Sequence, residues 1–572
     1  MKRIILLLLL GMVCLGGAWA AYQVNSPVVP AAAPLSRYVP SGALLYLQAK
    51  DFSSLLADWN ASPQKRQWLQ SSNYEVFSRS RLFLRLQEAG GQFAAAAGLP
   101  PDMNFLGEMA GSQSALVLYD IGQLQFLYIT RRASASSMQS ALWQTRSKFE
   151  TRSAGGAAFY VRRDLQSERE VAFAVTGDYL LLATREDLIA TALQLMQGSQ
   201  DRTVETESWW LGTVAAGGPE GDLRMVLNLE KIVPSPYFRS YWIQQNITDL
   251  RQYSAARSDL FRSGGEYREE RVLLKKPASG GGTPAAADGA AVADLVRLVP
   301  SQGGVYEVQA SPTADASYRL IETKILSPHA GPAAAGRTAP QLHLTSGETG
   351  NNSDMETRID QAPLQKMSSN DAAATLKDLL GKASVRAVLQ VQSTGRDIDG
   401  VFVRIHMGIA LLGGSDWNEA DLHAALVNVV GPDLTAGGLG VNWQTKPGYE
   451  ELDGLCALAV AVRGRYLLIS DDAALLSSML ANLNQRIVSQ PAVFVAGFNH
   501  ARERQNFERL AVVLDRPNSG LGNFSDRGRA PQFFSDNIAS LSSTLAGVSS
   551  EKIVVHDAGD KVTQTVTYIW VQ

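Results

Sequence analysis

Apolar and polar positions follow the same order in two places along the chain. Residues 174–182 and 461–469 are apolar runs that a glycine interrupts, Gly177 in the first and Gly464 in the second. A helical spacing of apolar residues follows each run, at Leu188, Ile189, Ala192, Leu193 and Met196 and again at Leu475, Leu476, Met479, Leu480 and Leu483. Each copy therefore predicts a strand, a tight turn with a positive-φ glycine, a second strand and an amphipathic helix.

Two further matches occur in the same order in both halves. Val39-Pro40-Ser41 and Val299-Pro300-Ser301 each lead into a predicted strand. Pairs of predicted strands follow, over residues 114–119 and 124–130 in the first half and over residues 385–391 and 401–407 in the second. Four matched elements in one order favour an internal duplication. The alternative is that short strand-rich runs resemble one another through composition alone.

The rest of the pattern predicts clusters of strands separated by helices. In the first half, strands are expected near Leu44, Leu116, Phe126, Phe159, Phe173 and Leu181 and over residues 223–229 and 267–274. Helices are expected over residues 52–59, 64–97, 135–149 and 248–262, from Asp187, and around Trp209 and Tyr237. This order predicts an α+β fold of two tandem related domains, with largely antiparallel sheets flanked by helices.

Composition places the boundaries between these domains. Residues 276–293 are almost entirely small or polar, and they bury too little apolar surface to offset the entropy of ordering, so a linker is expected there. The first domain is then expected over residues 36–275 and the second over residues 294–572. Residues 329–354 are expected to form a disordered, mobile insertion in the second domain.

The N-terminal residues have the pattern of an export signal. Lys2 and Arg3 precede an apolar stretch, and Ala18-Trp19-Ala20 has the small-x-small form at which signal peptides are cleaved. Residues 1–20 are therefore expected to direct export to the periplasm or cell envelope, and residues 21–35 to be a Pro/Ala-rich spacer. An uncleaved anchor is the alternative, and it would be the protein's only contact with the membrane.

Charge and cysteine content exclude some classes of protein. The net charge is −3, and it becomes −5 without Lys2 and Arg3, which argues against a nucleic-acid partner. The two cysteines are Cys14 and Cys456, so cleavage would leave only one. The mature chain is then expected to be stabilised by packing without a disulfide. Cys456 is expected to be a buried, inert thiol.

No stretch carries a specific catalytic, cofactor or metal motif. Gly381-Lys382 lacks the other residues of a phosphate-binding loop, and no two of the six histidines have the spacing that brings both to one ion. His406 is interpreted as part of a solvated sheet face. Asp471 and Asp472 follow a strand and are interpreted as turn and helix-cap residues. We therefore expect no catalytic, cofactor or metal site.

Aromatic residues give the one indication of binding. The candidate partner-binding residues are Trp209, Trp210, Tyr237, Tyr241 and Trp242. If exposed, such rings would stack on sugars or dock a protein partner of the envelope. The alternative is that they pack their helices against the domain core or hold the two halves together.

The chain resembles an uncharacterised group of exported bacterial proteins known only as a domain of unknown function. The resemblance rests on Val39-Pro40-Ser41 with its following strand, the helix over residues 51–59, and the strand at residues 177–182 with its following helix. It covers mainly the first half. It implies envelope localisation and no established activity.

Two classes of function remain after these exclusions. The first is a non-enzymatic envelope protein that binds a partner protein or an envelope polymer. The second is an envelope hydrolase with an unrecognised active site. A carboxylate pair with perturbed pKa values in a deep pocket would favour the hydrolase.

Overall fold

The computed structural model describes most of the chain between residues 33 and 570. The described residues are 33–71, 74, 77–79, 81–236, 250–277, 288–326, 370–396, 403–434, 442–453, 458–503 and 547–570. The predicted export signal, most of the predicted spacer, the predicted insertion at residues 329–354 and Cys456 lie outside them. Among the helices described here, none has both the length and the hydropathy needed to cross a bilayer.

In the described part of the chain, twenty strands form one antiparallel sheet. The strands of the first half are β1 Leu45–Ala49, β2 Gln113–Asp120, β3 Gln125–Arg131, β4 Glu150–Ala154, β5 Ala157–Arg163, β6 Glu170–Thr176, β7 Tyr179–Ala183, β8 Leu223–Leu227, β9 Tyr253–Ser263 and β10 Glu266–Lys275. Those of the second half are β11 Val305–Ala310, β12 Ala387–Arg396, β13 Val403–Leu412, β14 Asn442–Lys446, β15 Tyr449–Asp453, β16 Leu458–Arg463, β17 Tyr466–Ser470, β18 Phe494–Phe498, β19 Val548–Asp557 and β20 Lys561–Trp570.

The two halves of the sheet have the same strand order. In the first half the strands lie in the order β4-β5-β6-β7-β3-β2-β1-β8-β9-β10. In the second half the order is β14-β15-β16-β17-β13-β12-β11-β18-β19-β20. Each strand of the first half therefore has a counterpart ten strands later with the same neighbours.

The sequence matches lie at equivalent places in this sheet. Pro40 precedes Tyr46 of β1 by the same spacing as Pro300 precedes Tyr306 of β11, and β1 and β11 are the equivalent central strands. Gly177 and Gly464 connect β6 to β7 and β16 to β17, at φ values of 50° and 57°. The predicted glycine turns are confirmed.

Strands β10 and β20 join the two halves into one sheet. They pair antiparallel from Glu266 opposite Ile569 to Leu274 opposite Lys561, with Glu270 opposite Thr565 in the middle. The last strand of each half thus pairs with the last strand of the other. Because both are long and end their own half, they cover each other's open edge.

Helices cover both faces of the sheet. They are α1 Phe52–Ala61, α2 Pro63–Leu69, α3 Arg81–Ala97, α4 Met103–Met109, α5 Ser134–Met138, α6 Ala141–Gln144, α7 Glu186–Met196, α8 Ser208–Ala215, α9 Leu229–Ile232, α10 Gly289–Val296, α11 Ala314–Ile321, α12 Asn370–Lys382, α13 Glu419–Leu434 and α14 Ala473–Ala481. On one face, α7 packs on the first half, and α10 and α14 pack on the second. On the other, α3 and α4 cover the first half, and α11, α12 and α13 cover the second. The α+β fold with a large antiparallel sheet is confirmed.

One predicted helix is a strand. Residues 253–263 form β9, where a helix was expected over residues 248–262. The buried face of β9 carries Ala255 together with the charged side chains of Arg257 and Asp259. Because two buried positions are charged, the period-two apolar pattern of a strand is absent from the sequence.

Other boundaries differ from the prediction as well. The expected helix over residues 64–97 is divided into α2 and α3, and that over residues 135–149 into α5, α6 and a short 3₁₀ turn. The expected linker ends too late, because α10 begins at Gly289 and buries Ala291 and Val292 in the core of the second half. Residues 278–287 of the linker lie outside the described part of the chain.

Candidate ligand-binding cavity

An apolar cavity of about 440 Å³ lies between the sheet and the helices α3 and α4. Its floor is one face of five strands, formed by Leu47, Ala49, Ser114, Leu116, Leu118, Phe126, Tyr128, Leu182 and Leu223. Its roof comes from Phe52, Leu86, Ala89, Gly90, Phe93, Pro101, Phe105, Leu106 and Met109, and its rim from Leu124, Arg169 and Thr184. The volume lies in the range of small-molecule sites in proteins.

Local sequence patterns produce both walls. On α3, Leu86, Ala89, Gly90 and Phe93 have the spacing of one helical face, so they point together toward the sheet. On β2, alternate residues face the cavity, and Leu116 keeps 38% of its surface exposed although its strand lies inside the sheet. That exposure shows that the space above Leu116 is open to solvent.

The polar groups in the cavity wall bond to one another. The Tyr128 hydroxyl donates to the carbonyl oxygen of Met109 over 2.9 Å, and burial raises the pKa of that hydroxyl. Ser114 Oγ lies 2.6 Å from Thr130 Oγ1. Thr184 Oγ1 accepts from the backbone N–H of Phe126 over 2.9 Å. These groups have their hydrogen bonds already, so the walls offer a ligand mainly apolar contact.

A second cavity, of about 550 Å³, adjoins the apolar one. The two cavities share Leu86, Ala89, Leu124, Arg169 and Thr184 as lining residues. The second cavity is polar, and its charged residues are Arg85, Glu88, Arg163, Glu168, Arg169, Glu170 and Arg185. The site as a whole is therefore apolar at one end and charged at the other.

Two residues of this site have left-handed backbone conformations. Leu124 lies in the β2–β3 turn at φ 49°, and Glu168 lies in the β5–β6 turn at φ 55°. Residues other than glycine and asparagine rarely adopt this conformation, which costs about 1–2 kcal/mol. Strain of this kind collects at functional sites, where the surrounding structure holds it.

The second half differs at the equivalent sheet face. Leu47 lies opposite Leu116 across β1 and β2, and the equivalent pair across β11 and β12 is Glu307 opposite Gln390. The Gln390 amide donates to the Glu307 carboxylate over 2.6 Å. A polar pair thus replaces two leucines of the cavity floor.

The structure does not present Trp209 and Trp210 to a partner. They are 7% and 8% exposed and belong to the core of the first half. The Trp210 ring packs edge-on against Tyr46, with ring centroids 4.8 Å apart. The expectation of a binding role for these two residues is therefore replaced by the core-packing alternative. Tyr237, Tyr241 and Trp242 lie outside the described residues, so their binding role stays a prediction.

His406 lies close to Asp471 and Asp472. His406 Nδ1 is 4.0 Å from both the Asp471 and the Asp472 carboxylates. Asp471 Oδ1 accepts the backbone N–H of Met407 over 2.7 Å, and Asp472 Oδ1 caps α14 by accepting the N–H of Ala474 over 2.8 Å. Both carboxylates thus hold backbone in place, and the helix-cap interpretation of Asp472 is confirmed.

One group of three potential metal ligands was missed from the sequence. Glu419 and His423 lie one turn apart on α13, and Glu450 of β15 completes a set whose ligand atoms all lie within 4.8 Å of one another. His423 Nε2 lies 2.9 Å from Glu450 Oε2, and its ring stacks on Trp443. A search for pairs of histidines overlooks this Glu-x-x-x-His spacing. Glu419 is exposed and His423 and Glu450 are partly buried, and acidic groups commonly lie this close together in proteins without a bound ion.

The apolar cavity was also missed, although the sequence holds a signal for it. Residues 115–118 are apolar at every position, so both faces of β2 must be covered. That pattern indicates a second layer over the sheet. It does not indicate that the layer leaves a space, because the space depends on where α3 lies.

Comparison with known proteins adds little to this geometry. No family model matches the chain, and no curated protein matches it. A solved structure described as "Structure of crystal form I of TP0453" is similar over 43% of this chain and 81% of that chain, at 11% identity and a TM-score of 0.24. That TM-score is too low to indicate a shared fold.

Proposed function

We propose that this chain is an exported, non-enzymatic protein of the cell envelope that binds an apolar chain in the cavity of its first half. The observation that carries the proposal is an open cavity of about 440 Å³ whose polar wall groups bond to one another. The ligand then gains affinity by removing apolar surface from water. Export rests on the N-terminal pattern at residues 1–20.

The cavity wall favours binding over hydrolysis. Its lining residues include no aspartate, glutamate or histidine, so no general base lies beside Ser114 or Tyr128. The apolar cavity therefore lacks the carboxylate pair that would favour the hydrolase alternative.

The two halves are proposed to be tandem copies of one domain. Their identical strand order, and the matching positions of Tyr46 and Tyr306, support duplication from one ancestor. The second copy has a cavity of about 480 Å³ at the equivalent face, but Glu307 and Gln390 line it in the places of Leu47 and Leu116. In this proposal the apolar ligand therefore binds to the first copy. The second copy then contributes the other ten strands of the continuous sheet.

The test is the binding of straight-chain alcohols to the full chain. Each CH₂ group buried from water is worth about 0.8 kcal/mol, so affinity is expected to rise about fourfold per carbon from hexanol upward until the cavity is full. Binding is followed by displacement of a fluorescent apolar probe. If affinity does not depend on chain length, the proposal is wrong.

Two variants locate the binding. Leu116→Gln introduces the residue of the second half into the cavity floor, and we expect it to weaken decanol binding about tenfold or more. Leu165→Gln is the matched control, because Leu165 lies on the surface outside the cavity and is 94% exposed. Equal affinity in the two variants would place the ligand elsewhere.

A further inference from the structure

Arg169 lies where the apolar and the charged cavity meet. It lines both of them and is partly buried. Its guanidinium donates from Nη1 to the carbonyl oxygen of Gln123 over 2.5 Å and from Nη2 to Oε1 of Gln92 over 2.9 Å. Both acceptors are neutral, so they fix the side chain without neutralising its charge.

The other arginines of the charged cavity have carboxylate partners. Arg85 pairs with Glu88 at 3.0 Å, Arg163 with Glu168 at 3.6 Å and Arg185 with Asp187 at 2.5 Å. Within the described part of the chain, no carboxylate pairs with Arg169. The remaining acid of this cavity is Glu170, and its Oε1 accepts from the backbone N–H of Glu186. Arg169 is thus the cation of this site whose charge is left for a ligand.

A partly buried arginine without a counter-ion is costly. Burial lowers the pKa of Arg169, because the surroundings solvate the guanidinium less well than water does. A bound carboxylate or phosphate monoester would restore that lost stabilisation, and the planar guanidinium fork fits either group through two parallel hydrogen bonds. An uncharged head group would leave the charge as it is.

The geometry points to a single-chain anionic amphiphile as the ligand, with its chain in the apolar cavity and its carboxylate or phosphate head on Arg169. This inference rests on the proposed function, because it assumes that the apolar cavity takes the chain. The charged cavity of about 550 Å³ gives the head group room and a path to solvent. Leu86 and Leu124 line both cavities, so they would flank the first carbons of the chain.

The experiment compares four ligands of one chain length on the full chain. They are dodecanol, dodecanoate, dodecyl phosphate and dodecyltrimethylammonium, each kept below its micelle concentration at pH 8 and titrated against the fluorescent probe. We expect dodecanoate or dodecyl phosphate to bind about tenfold or more tighter than dodecanol, and the cationic ligand to bind more weakly. The ratio of the two anions shows which head group the site prefers.

Variants test whether Arg169 causes the preference for anionic ligands. Arg169→Gln should remove the advantage of the anions over dodecanol, while Arg169→Lys should keep part of that advantage because the charge remains. Arg163→Gln is the control, since Arg163 lies in the same cavity but pairs with Glu168. Its anion preference should equal that of the wild type.

The outcomes separate the two proposals. If dodecanol and the anions all fail to bind, the proposed function is wrong and this inference falls with it. If dodecanol binds and the anions bind no tighter, or if Arg163→Gln and Arg169→Gln lose the same preference, the amphiphile inference alone is wrong.

Discussion

Arg257 and Asp259 form a buried ion pair on one strand, β9, with Arg257 Nε 2.9 Å from Asp259 Oδ2. Their side chains are 5% and 1% exposed. Asp259 also accepts from Arg224 Nε over 2.6 Å and from the backbone N–H of Gly221 over 3.0 Å. One carboxylate therefore contacts two arginines inside the first half, and its removal would take from both of them the counter-charge that they contact.

We expect Asp259→Asn to lower the free energy of unfolding by about 3–5 kcal/mol, because breaking a buried pair strands a charge away from water. Urea unfolding followed by tryptophan fluorescence measures the change. Asp187→Asn is the control, since Asp187 pairs with Arg185 at the surface and such pairs contribute about 1 kcal/mol or less. Equal losses in the two variants would show that Asp259 is not needed for charge balance.

Trp210 is expected to stabilise the fold through its packing on Tyr46. Trp210→Ala should cost about 3–5 kcal/mol, because it removes a large buried side chain and leaves a cavity. Thermal unfolding of the full chain measures this loss. Trp59→Ala is the matched control, because Trp59 is 45% exposed, and it should cost less than about 1 kcal/mol. A wild-type stability for Trp210→Ala, with loss of a binding partner, would restore the surface role expected from the sequence.

The ion pair between Lys275 and Asp557, which links the two halves, should stabilise the protein less at acid pH. Lys275 Nζ, at the end of β10, lies 2.7 Å from Asp557 Oδ2, in the last residue of β19. Burial works to raise the pKa of Asp557, but Lys275 and the N–H of Gly559 outweigh it and hold the pKa below its usual range. The stabilisation is therefore complete above the unfolded pKa of about 3.9 and is lost as the pH falls through the lower, folded value.

Asp557→Asn should thus cost up to about 1 kcal/mol at pH 7 and almost nothing near pH 2, where the wild-type carboxyl is protonated as well. Denaturant midpoints at both pH values give the comparison. Asp560→Asn changes a nearby exposed carboxyl and should have little effect at either pH. If Asp557→Asn lowers the stability by the same amount at pH 2 and at pH 7, Asp557 does not stabilise the protein through its charge.

Two substitutions at Leu124 should reveal the strain in its backbone. At φ 49°, asparagine is tolerated and a β-branched residue is not, so Leu124→Val should be less stable than Leu124→Asn by about 1 kcal/mol. Chemical unfolding of both variants measures the difference. If valine is the more stable residue at this position, the turn adopts another conformation in solution.

The parts of the fold that could be predicted from the sequence are those that local pattern determines. The hairpin at Gly177 and the helix that follows it have clear periods, a required positive φ and a second copy for comparison. Strand β9 could not be predicted, because its inward face carries Arg257 and Asp259, whose burial is made tolerable by the contact between them and by bonds to Arg224 and to backbone groups. Such a contact is not visible in residue order.

The candidate site depended even more on three-dimensional placement. The cavity combines residues from β1, β2, α3 and the β2–β3 turn, and its volume depends on how far α3 lies from the sheet. Arg169 is one of several arginines in the first half, and its sequence neighbours do not show that Gln92 and Gln123 are its acceptors. Conversely, Trp209 and Trp210 looked like a binding surface because residue type alone does not show burial.

The pairing of β10 with β20 also leaves neither of these strand edges open to a strand from another molecule. Long unpaired strands recruit further strands from other molecules, which begins aggregation. Among the described strands, the outermost ones are β4 and β14, both short, and both carrying charged side chains such as Glu150, Arg152 and Lys446. The ten-residue strands β10 and β20 would most readily pair with strands of other molecules, but they pair with each other within one polypeptide. Had the halves been made as separate molecules, each would have exposed such a strand until it met its partner.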